Sequence, residues 1–478
     1  MPGRKLHIAT YGCQMNVYDS DRLSEIMSQQ GWTMTEIPSE ADFIFVNTCS
    51  IREKAARRVI GHLKRLKAIK NQNPDLILGV GGCVAEQEGK NLLTEVPWLN
   101  LIVGPGRLYE IPTVVENLTT KSPPVILSGR PPSIEAREVN SQVVHSQAAN
   151  SQEATSQIAI PIFTAKPNQP IPSVSNHTKP PKVKVGAFLT IMTGCDNYCA
   201  YCVVPYLRGP ETSRPLEEIT FEAKTLIEKG AKEITLLGQN VNSYGRPGRR
   251  GGEDFIELLE IIGSLPGLER LRFTTSHPKD FPPKLVELFG SLPTLCEHLH
   301  LPLQAGSDKI LTAMGRRYNR DKYLALVKDL RKACPSLALS TDIIVGFPGE
   351  SESDFNQTLD ALETIGFDSI YSFKYSDRPM TRANNLPDKV DELVKARRLS
   401  EVQNIQKKIT LDKHHALVGR ELEVLVEGFG RHPGQLTGRT RDLKPVNFDG
   451  PETLLGSLVT VKITEAYAAS LLGQMVNF

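Results

Sequence analysis

The sequence predicts an α/β chain of several domains: an N-terminal α/β parallel-sheet domain, a central open (β/α)6 partial barrel and a small C-terminal β-barrel. Three observations carry this. Apolar strand-length runs alternate with helix-period stretches over the first 117 residues and again from Val183. A stretch rich in Pro, Ser, Gln and Ala separates the two. From about Val418 the helical stretches give way to short alternating strands, as in Glu421-Leu-Glu-Val-Leu-Val-Glu and Ser457-Leu-Val-Thr-Val-Lys-Ile-Thr. The boundaries expected are 4–117, a disordered low-complexity linker at 118–182, 183–412 and 413–478.

A chain of 478 residues exceeds one hydrophobic core. Hydrophobic residues at 40% and charged residues at 23% exclude global disorder. A net charge of +2 neither demands nor excludes a polyanionic partner. No run has the length of a signal peptide or a bilayer span, so a cytoplasmic protein without membrane association is expected. Six of the eight cysteines fall in two triads, and Cys296 and Cys334 read as small buried apolar residues.

The N-terminal strands centre on Leu6 to Thr10, Asp42 to Val46 and Leu76 to Val80, and each runs into a cysteine: Cys13, Cys49 and Cys83. In a parallel sheet, helical crossovers return every strand in one direction, so these three thiols gather on one edge and could meet at one cluster. Gly79-Val-Gly-Gly lacks the last glycine and the downstream acid of a dinucleotide loop, and reads as a tight turn. From 122 to 181 the composition is too poor in apolar residues to order itself, and pentapeptides beginning Ser-Gln repeat head to tail. That stretch is expected to be dispensable for chemistry.

Six apolar strands follow, at 186–191, 233–237, 270–273, 298–301, 342–345 and 369–373. Phe355, Leu359, Leu362 and Ile365 recur at helical spacing before Gly366. A helical run through Val390, Leu393, Leu399, Val402 and Ile409 leads out. The loop after the first strand carries Cys195, Cys199 and Cys202, spaced CxxxCxxC, at the carboxyl end where βα barrels place their sites. Three soft thiols suit an iron–sulfur cluster that keeps one iron without a protein ligand, whereas structural zinc wants four ligands and none is near to complete it. Polar groups at the other strand ends should face this loop: Gln239 and Asn240, Ser276 and His277, Gln304, and Asp342 with Gly346, Gly349 and Glu350. Each also reads as an ordinary loop or cap residue. His298 and His300 alternate with Leu, which favours packing or hydrogen bonding over ligation.

The triad with Tyr201 just before its last cysteine resembles the radical S-adenosylmethionine (SAM) enzymes. That resemblance implies an open partial TIM barrel, a [4Fe–4S] cluster on Cys195, Cys199 and Cys202, and SAM held at the open iron among Tyr201, Gln239, Asn240, Ser276, Gln304, Asp342 and Gly346. It also implies an electron donor and cleavage of SAM to a 5′-deoxyadenosyl radical. Gly438-Arg-Thr and Ala466-Tyr-Ala-Ala-Ser-Leu-Leu-Gly resemble the TRAM domain, an RNA-binding module. Such a tail is expected to add RNA affinity and to be removable without loss of SAM cleavage. Together with Asn47-Thr-Cys-Ser-Ile-Arg-Glu-Lys and Gly238-Gln-Asn-Val-Asn-Ser-Tyr, these features resemble the methylthiotransferases, in the MiaB branch that acts on tRNA. The resemblance implies a second [4Fe–4S] cluster on Cys13, Cys49 and Cys83 and methylthiolation of C2 of N6-isopentenyladenosine beside the anticodon. Alternatives are methylthiolation of a ribosomal-protein aspartate and a non-catalytic iron–sulfur RNA-binding protein. A monomer is expected, with two triads that assemble independently.

Overall fold

Residues 43–48 and 77–82 are buried along their whole length, as near-continuous apolar runs in a parallel sheet should be. In the computed structural model, which describes residues 3–49, 53–120, 122–129, 185–245 and 255–476, they form β3 (Phe43–Thr48) and β4 (Ile77–Gly82). With β1 (Lys5–Tyr11), β2 (Thr33–Met34), β5 (Leu101–Val103) and β6 (Val125–Leu127) they make a six-stranded sheet in the order β2-β1-β3-β4-β5-β6. Every pair in it is parallel. Helix α1 (Gln14–Gln29) starts directly after Cys13.

Two expectations are corrected here. Gly79 to Gly82 is strand rather than turn, running in register with Phe45 to Thr48. Val125–Leu127, inside the stretch expected to be linker from 118, belongs to the sheet, because it pairs with β5. Val125, Ile126 and Leu127 are a short apolar triplet, and the open edge of β5 supplies the backbone partners that its own flanks lack. The remaining linker, with its pentapeptides, lies outside the described residues.

Six further parallel strands follow: β7 (Gly186–Thr190), β10 (Glu233–Leu237), β11 (Arg270–Phe273), β12 (His298–His300), β13 (Ala338–Val345) and β14 (Ser369–Lys374). They form two three-stranded sheets, β7-β10-β11 and β12-β13-β14, joined through a parallel bridge from Leu271 to Leu295. No pairing among the described residues links β14 to β7, so the barrel is open. Its first helix-return loop is pinched off by a small antiparallel ribbon, β8 (Met192–Thr193) with β9 (Thr212–Ser213). The helix Glu352–Ile365 is capped by Ser351 and ends at Gly366 in the left-handed region, as the sequence predicts.

The exit helix, Glu392–His415, lies where its apolar run puts it, yet its packed face is largely polar. Leu393 is 81% exposed. Lys395, Arg398, Gln406 and His414 are buried instead, with Arg398 donating to Glu350 at 2.7 Å and Gln406 to the Phe367 carbonyl at 2.8 Å. Beyond it a closed barrel runs β15-β16-β17-β19-β18, with β15 (Glu421–Phe429), β16 (Gln435–Thr440), β17 (Pro445–Asp449), β18 (Leu458–Ala466) and β19 (Leu471–Met475).

This small barrel is not a detachable tail. It closes the amino-terminal mouth of the large one. Phe273 packs on Phe255 and Phe289 of the outer helices, so alternation turns Arg270 and Arg272 inward. Arg270, fully buried, donates to the Arg439 carbonyl at 2.7 Å and to Glu423 at 2.8 Å. Arg272 donates to the carbonyls of Arg441 and Thr440 at 2.6 and 3.0 Å and pairs with buried Glu233 at 2.9 Å. Arg441 reaches Glu297 at 2.8 Å and Lys444 reaches Asp368 at 3.4 Å. Removing 418–478 would therefore strand buried charges, which departs from the expectation that SAM cleavage survives the deletion. Arg272→Ala should cost about 3 kcal/mol, because buried Glu233 is left with only Arg439, at 3.6 Å, to balance it. Urea denaturation of the full chain checks this, and a midpoint equal to wild type would contradict the plug.

Candidate active site

The cysteine loop at the carboxyl end of β7 is held from three sides. Gly194 donates its N–H to Gln239 Oε1 at 2.6 Å, Cys195 to the Gly209 carbonyl at 3.1 Å, and Ala200 to the Met314 carbonyl at 2.8 Å. Gly194 has φ +79°, and a Cβ there would meet the Pro210 carbonyl oxygen at 2.0 Å, so only glycine fits the entry. Arg316 is buried with Nη1 at 3.5 Å from Cys199 Sγ, and its Nε donates to the Tyr318 hydroxyl at 3.0 Å. Tyr201 lies among Arg316, Cys199, Cys202 and Tyr318, and burial raises its phenol well above the usual range. Burial, with the neighbouring Cys199, likewise pushes the Cys202 thiol up to about 12. Without a bound cation Cys195 and Cys202 keep their protons.

The strand-end polar groups divide into two kinds. Gln239 is committed to the loop backbone, Asp342 Oδ2 to His300 Nε2 at 3.4 Å, and Gly346 N–H to Glu350 at 2.6 Å. Burial raises the Glu350 carboxyl against its bonds to Gly346 and Arg398. By contrast Asn240 Oδ1, Ser276 Oγ and Gln304 Oε1 are buried and accept or donate no hydrogen bond among the described residues. Gln304 holds φ +75°, a strained conformation for a side-chain-bearing residue. Three orphaned polar atoms after three adjacent strands are the mark of a site that meets a polar ligand. His298 and His300 share Ser340 Oγ at 3.2 and 3.0 Å, in keeping with the hydrogen-bonding role expected of them.

In the N-terminal domain, parallel topology brings the other cysteines together. Gly12 leaves room for the approach: a Cβ there would meet Cys49 Cβ at 2.8 Å and Asn16 Oδ1 at 2.2 Å. Buried Asn16 donates to Asn47 Oδ1 at 2.9 Å and to the Thr48 carbonyl at 3.0 Å, which clasps the start of α1 to the end of β3. A hydrogen bond from Cys49 brings the Cys13 thiol down to about 6, against burial and with help from Arg208. Cys83, at the end of β4, packs against Val203 and Leu207.

Val203, Leu207 and Arg208 belong to the barrel loop, directly after Cys202. The two triads therefore share a wall. The buried Arg208 pairs with Asp19 at 3.5 Å and bonds Cys83, and although burial works against its charge, Cys83, Asp19 and Cys13 hold it. Helix α1 is docked alongside: Tyr18 donates to Glu222 at 3.0 Å, Arg214 to Glu222 at 2.7 Å and Lys229 to Glu25 at 2.8 Å. Sequence reasoning missed Arg208, Asp19 and Arg316. A lone Arg after an apolar turn carries no sign of a partner some 190 residues away. Independent assembly of the triads does not follow from this arrangement. Among the described residues no three Cys, His, Asp or Glu side chains are gathered closely enough for a single metal ion. A multi-iron cluster needs a wider set of sulfurs, and the soft, partly or fully buried donors of both loops suit one.

Residues 5–104 match the Uncharacterized protein family UPF0004, 189–362 the Radical SAM superfamily and 415–476 the TRAM domain. The chain is 42% identical over 475 residues to the tRNA-2-methylthio-N(6)-dimethylallyladenosine synthase of Syntrophus aciditrophicus, covering 99% of this chain and 95% of that one. It is 43% identical to the synthase of the same description from Geobacter metallireducens, over the full length of both. Among solved structures, the radical SAM methyltransferase TsrM from Kitasatospora setae shares the fold, with TM-score 0.53 at 14% identity over 91% of this chain and 78% of that one.

Burial already lifts the Asp19 carboxyl to about 6, with Arg208 opposing that rise. A carboxyl raised on folding binds more protons folded than unfolded, so its share of stability falls as pH rises from about 4 through 6. Arg208→Met should steepen and extend that fall, and Asp19→Asn in the same chain should flatten it. Urea midpoints between pH 4 and 8 test both. Parallel curves for wild type and Arg208→Met would overturn the pairing.

Proposed function

The chain belongs to the family of tRNA-2-methylthio-N(6)-dimethylallyladenosine synthases, and from that premise we propose that it places a methylthio group on C2 of N6-isopentenyladenosine beside the anticodon of tRNA. It is an enzyme, a radical SAM transferase. An adenine C2–H is neither acidic nor open to a nucleophile, so hydrogen abstraction is the route and no general base is required. The observation that carries the reading is the shared wall, which sets the two thiol triads on either side of Arg208 and the barrel loop. A base entering the barrel mouth would then meet both.

Cys195, Cys199 and Cys202 would hold one [4Fe–4S] cluster with an iron free for SAM, and Cys13, Cys49 and Cys83 a second; reductive cleavage of SAM at the first supplies a carbon radical and the second supplies sulfur. Asn240, Ser276 and Gln304 would satisfy their orphaned atoms on the polar groups of SAM. Gln239 keeps the loop in register, and Arg316 steadies Cys199. Tyr201 would close the cluster from the barrel side. Asp342, held by His300, and Gly346, held by Glu350, would shape the floor. Arg208 offsets the negative charge of the second triad and keeps water from the passage between the two. The target base would leave its stack, which the unpaired anticodon loop makes less costly. An electron donor completes the partner set. The enzyme would act as a monomer in the cytoplasm; no described helix is long and apolar enough to cross a membrane.

Mass spectrometry of tRNA nucleosides decides the matter. A strain lacking the gene should accumulate N6-isopentenyladenosine without its 2-methylthio form, and the wild-type chain should restore it. Neither Cys49→Ala nor Cys199→Ala should do so. An unchanged nucleoside profile, with a modified ribosomal protein instead, would overturn the assignment.

A further inference from the structure

Beside the cysteine loop runs a groove of about 730 Å³ that the chemistry above does not use, lined by Asn197, Tyr198, Tyr206, Arg317, Lys322 and Arg382 among others, with no carboxylate in its wall. Tyr198 and Tyr206 stand 44% and 43% exposed, edge to face with ring centroids 6.0 Å apart. Large aromatics are ordinarily hidden, and this pair is held out. Tyr198 sits at φ +46°, with its carbonyl pinned by Arg382 Nη2 at 3.0 Å. Arg317 and Lys322 are exposed, and neither has an ion-pair partner among the described residues. Past both lies a second hollow of about 540 Å³, where Lys279 is joined by the carboxylates Glu287 and Asp329, so the acid-free wall ends at the first groove.

Cations without acids on a concave wall focus a positive potential. Exposed aromatic faces beside them are what unstacked bases use, with Lys and Arg on the phosphates. We propose that this groove is the seat of the single-stranded RNA flanking the target base, with bases stacking on Tyr198 and Tyr206 and phosphates on Arg317, Lys322 and Arg382. The proposal rests on the tRNA reading above and adds the contacts that orient the loop. Tyr198 adjoins Cys199 and Tyr206 follows Cys202 by four residues, so a strand lying here is held next to the entrance that its neighbouring base must use. An acidic protein would engage the cations too, but it has no use for ring faces set inside a concavity.

The test uses the reconstituted full-length protein and a fluorescent anticodon stem-loop carrying N6-isopentenyladenosine, with affinity measured across a series of KCl concentrations. Arg317→Glu with Lys322→Glu should weaken binding at least tenfold and flatten the salt dependence by roughly 0.7 in log–log slope for each lost phosphate contact. Tyr206→Ala should weaken it by roughly tenfold or more with the slope unchanged, and Tyr206→Phe should bind as wild type. Iron content per chain separates a lost contact from a damaged loop, and Arg317→Lys, which keeps the charge, should retain the slope. Wild-type affinity and slope in the iron-replete charge-reversed protein would overturn the groove, as would normal RNA affinity coupled to slower reduction by an acidic electron-transfer protein. Failure of the wild-type chain to bind the stem-loop at all would instead remove the tRNA reading, and this proposal with it.

Discussion

The buried guanidinium of Arg208 is the interaction on which the site depends. It leaves the barrel loop six residues after Cys202 and ends among Cys13, Cys83 and Asp19 of the other domain. A charge taken out of water is tolerated only where opposite charge and hydrogen bonds meet it. Here they come from two thiols and a carboxylate on a different sheet, so the guanidinium is satisfied only when the domains are docked. The same docking makes Val203 and Leu207 cover Cys83. One loop therefore builds its own thiol site and completes the wall of its neighbour.

The opposite end of the barrel shows the same principle with a different partner. Arg270 and Arg272 point into the lumen, where an open barrel would leave them half-solvated, and the carbonyls of β16 and the turn after it receive them. The domain that resembles an RNA-binding module thus also seals the amino-terminal mouth. The carboxyl-terminal mouth is left as the way in, bordered by the orphaned atoms of Asn240, Ser276 and Gln304 and by the tyrosine-lined groove. Buried polar atoms without partners cost stability in the free protein. At this mouth three of them follow adjacent strands, where a polar ligand can return that stability.

Much of this was legible from residue order. Strand-then-cysteine at Cys13, Cys49 and Cys83 predicted a shared edge, because parallel strands with helical returns admit no other arrangement. CxxxCxxC was legible because its ligands are local. The limits were equally physical. The triplet Val125 to Leu127 is too short to register as a strand, since its stability comes from β5 rather than from itself. The exit helix hides Arg398 and Gln406 while Leu393 faces water, because its neighbours offer Glu350 and the Phe367 carbonyl. Gln239 and Asn240 are adjacent and alike, yet one is spent on the loop backbone and the other left with a free oxygen.

The sequence alone determined the order of elements, the two triads and the family, for all of these are written in short-range spacing and periodicity. Tertiary structure decided which groups share a site. Arg208 beside Cys83, Arg272 beside Glu233 and the pairing of Tyr198 with Arg382 across 184 residues are long-range choices made by packing. A buried charge selects its partner from whatever the fold brings within a few ångströms, and that neighbourhood has no signature in the residues on either side of it.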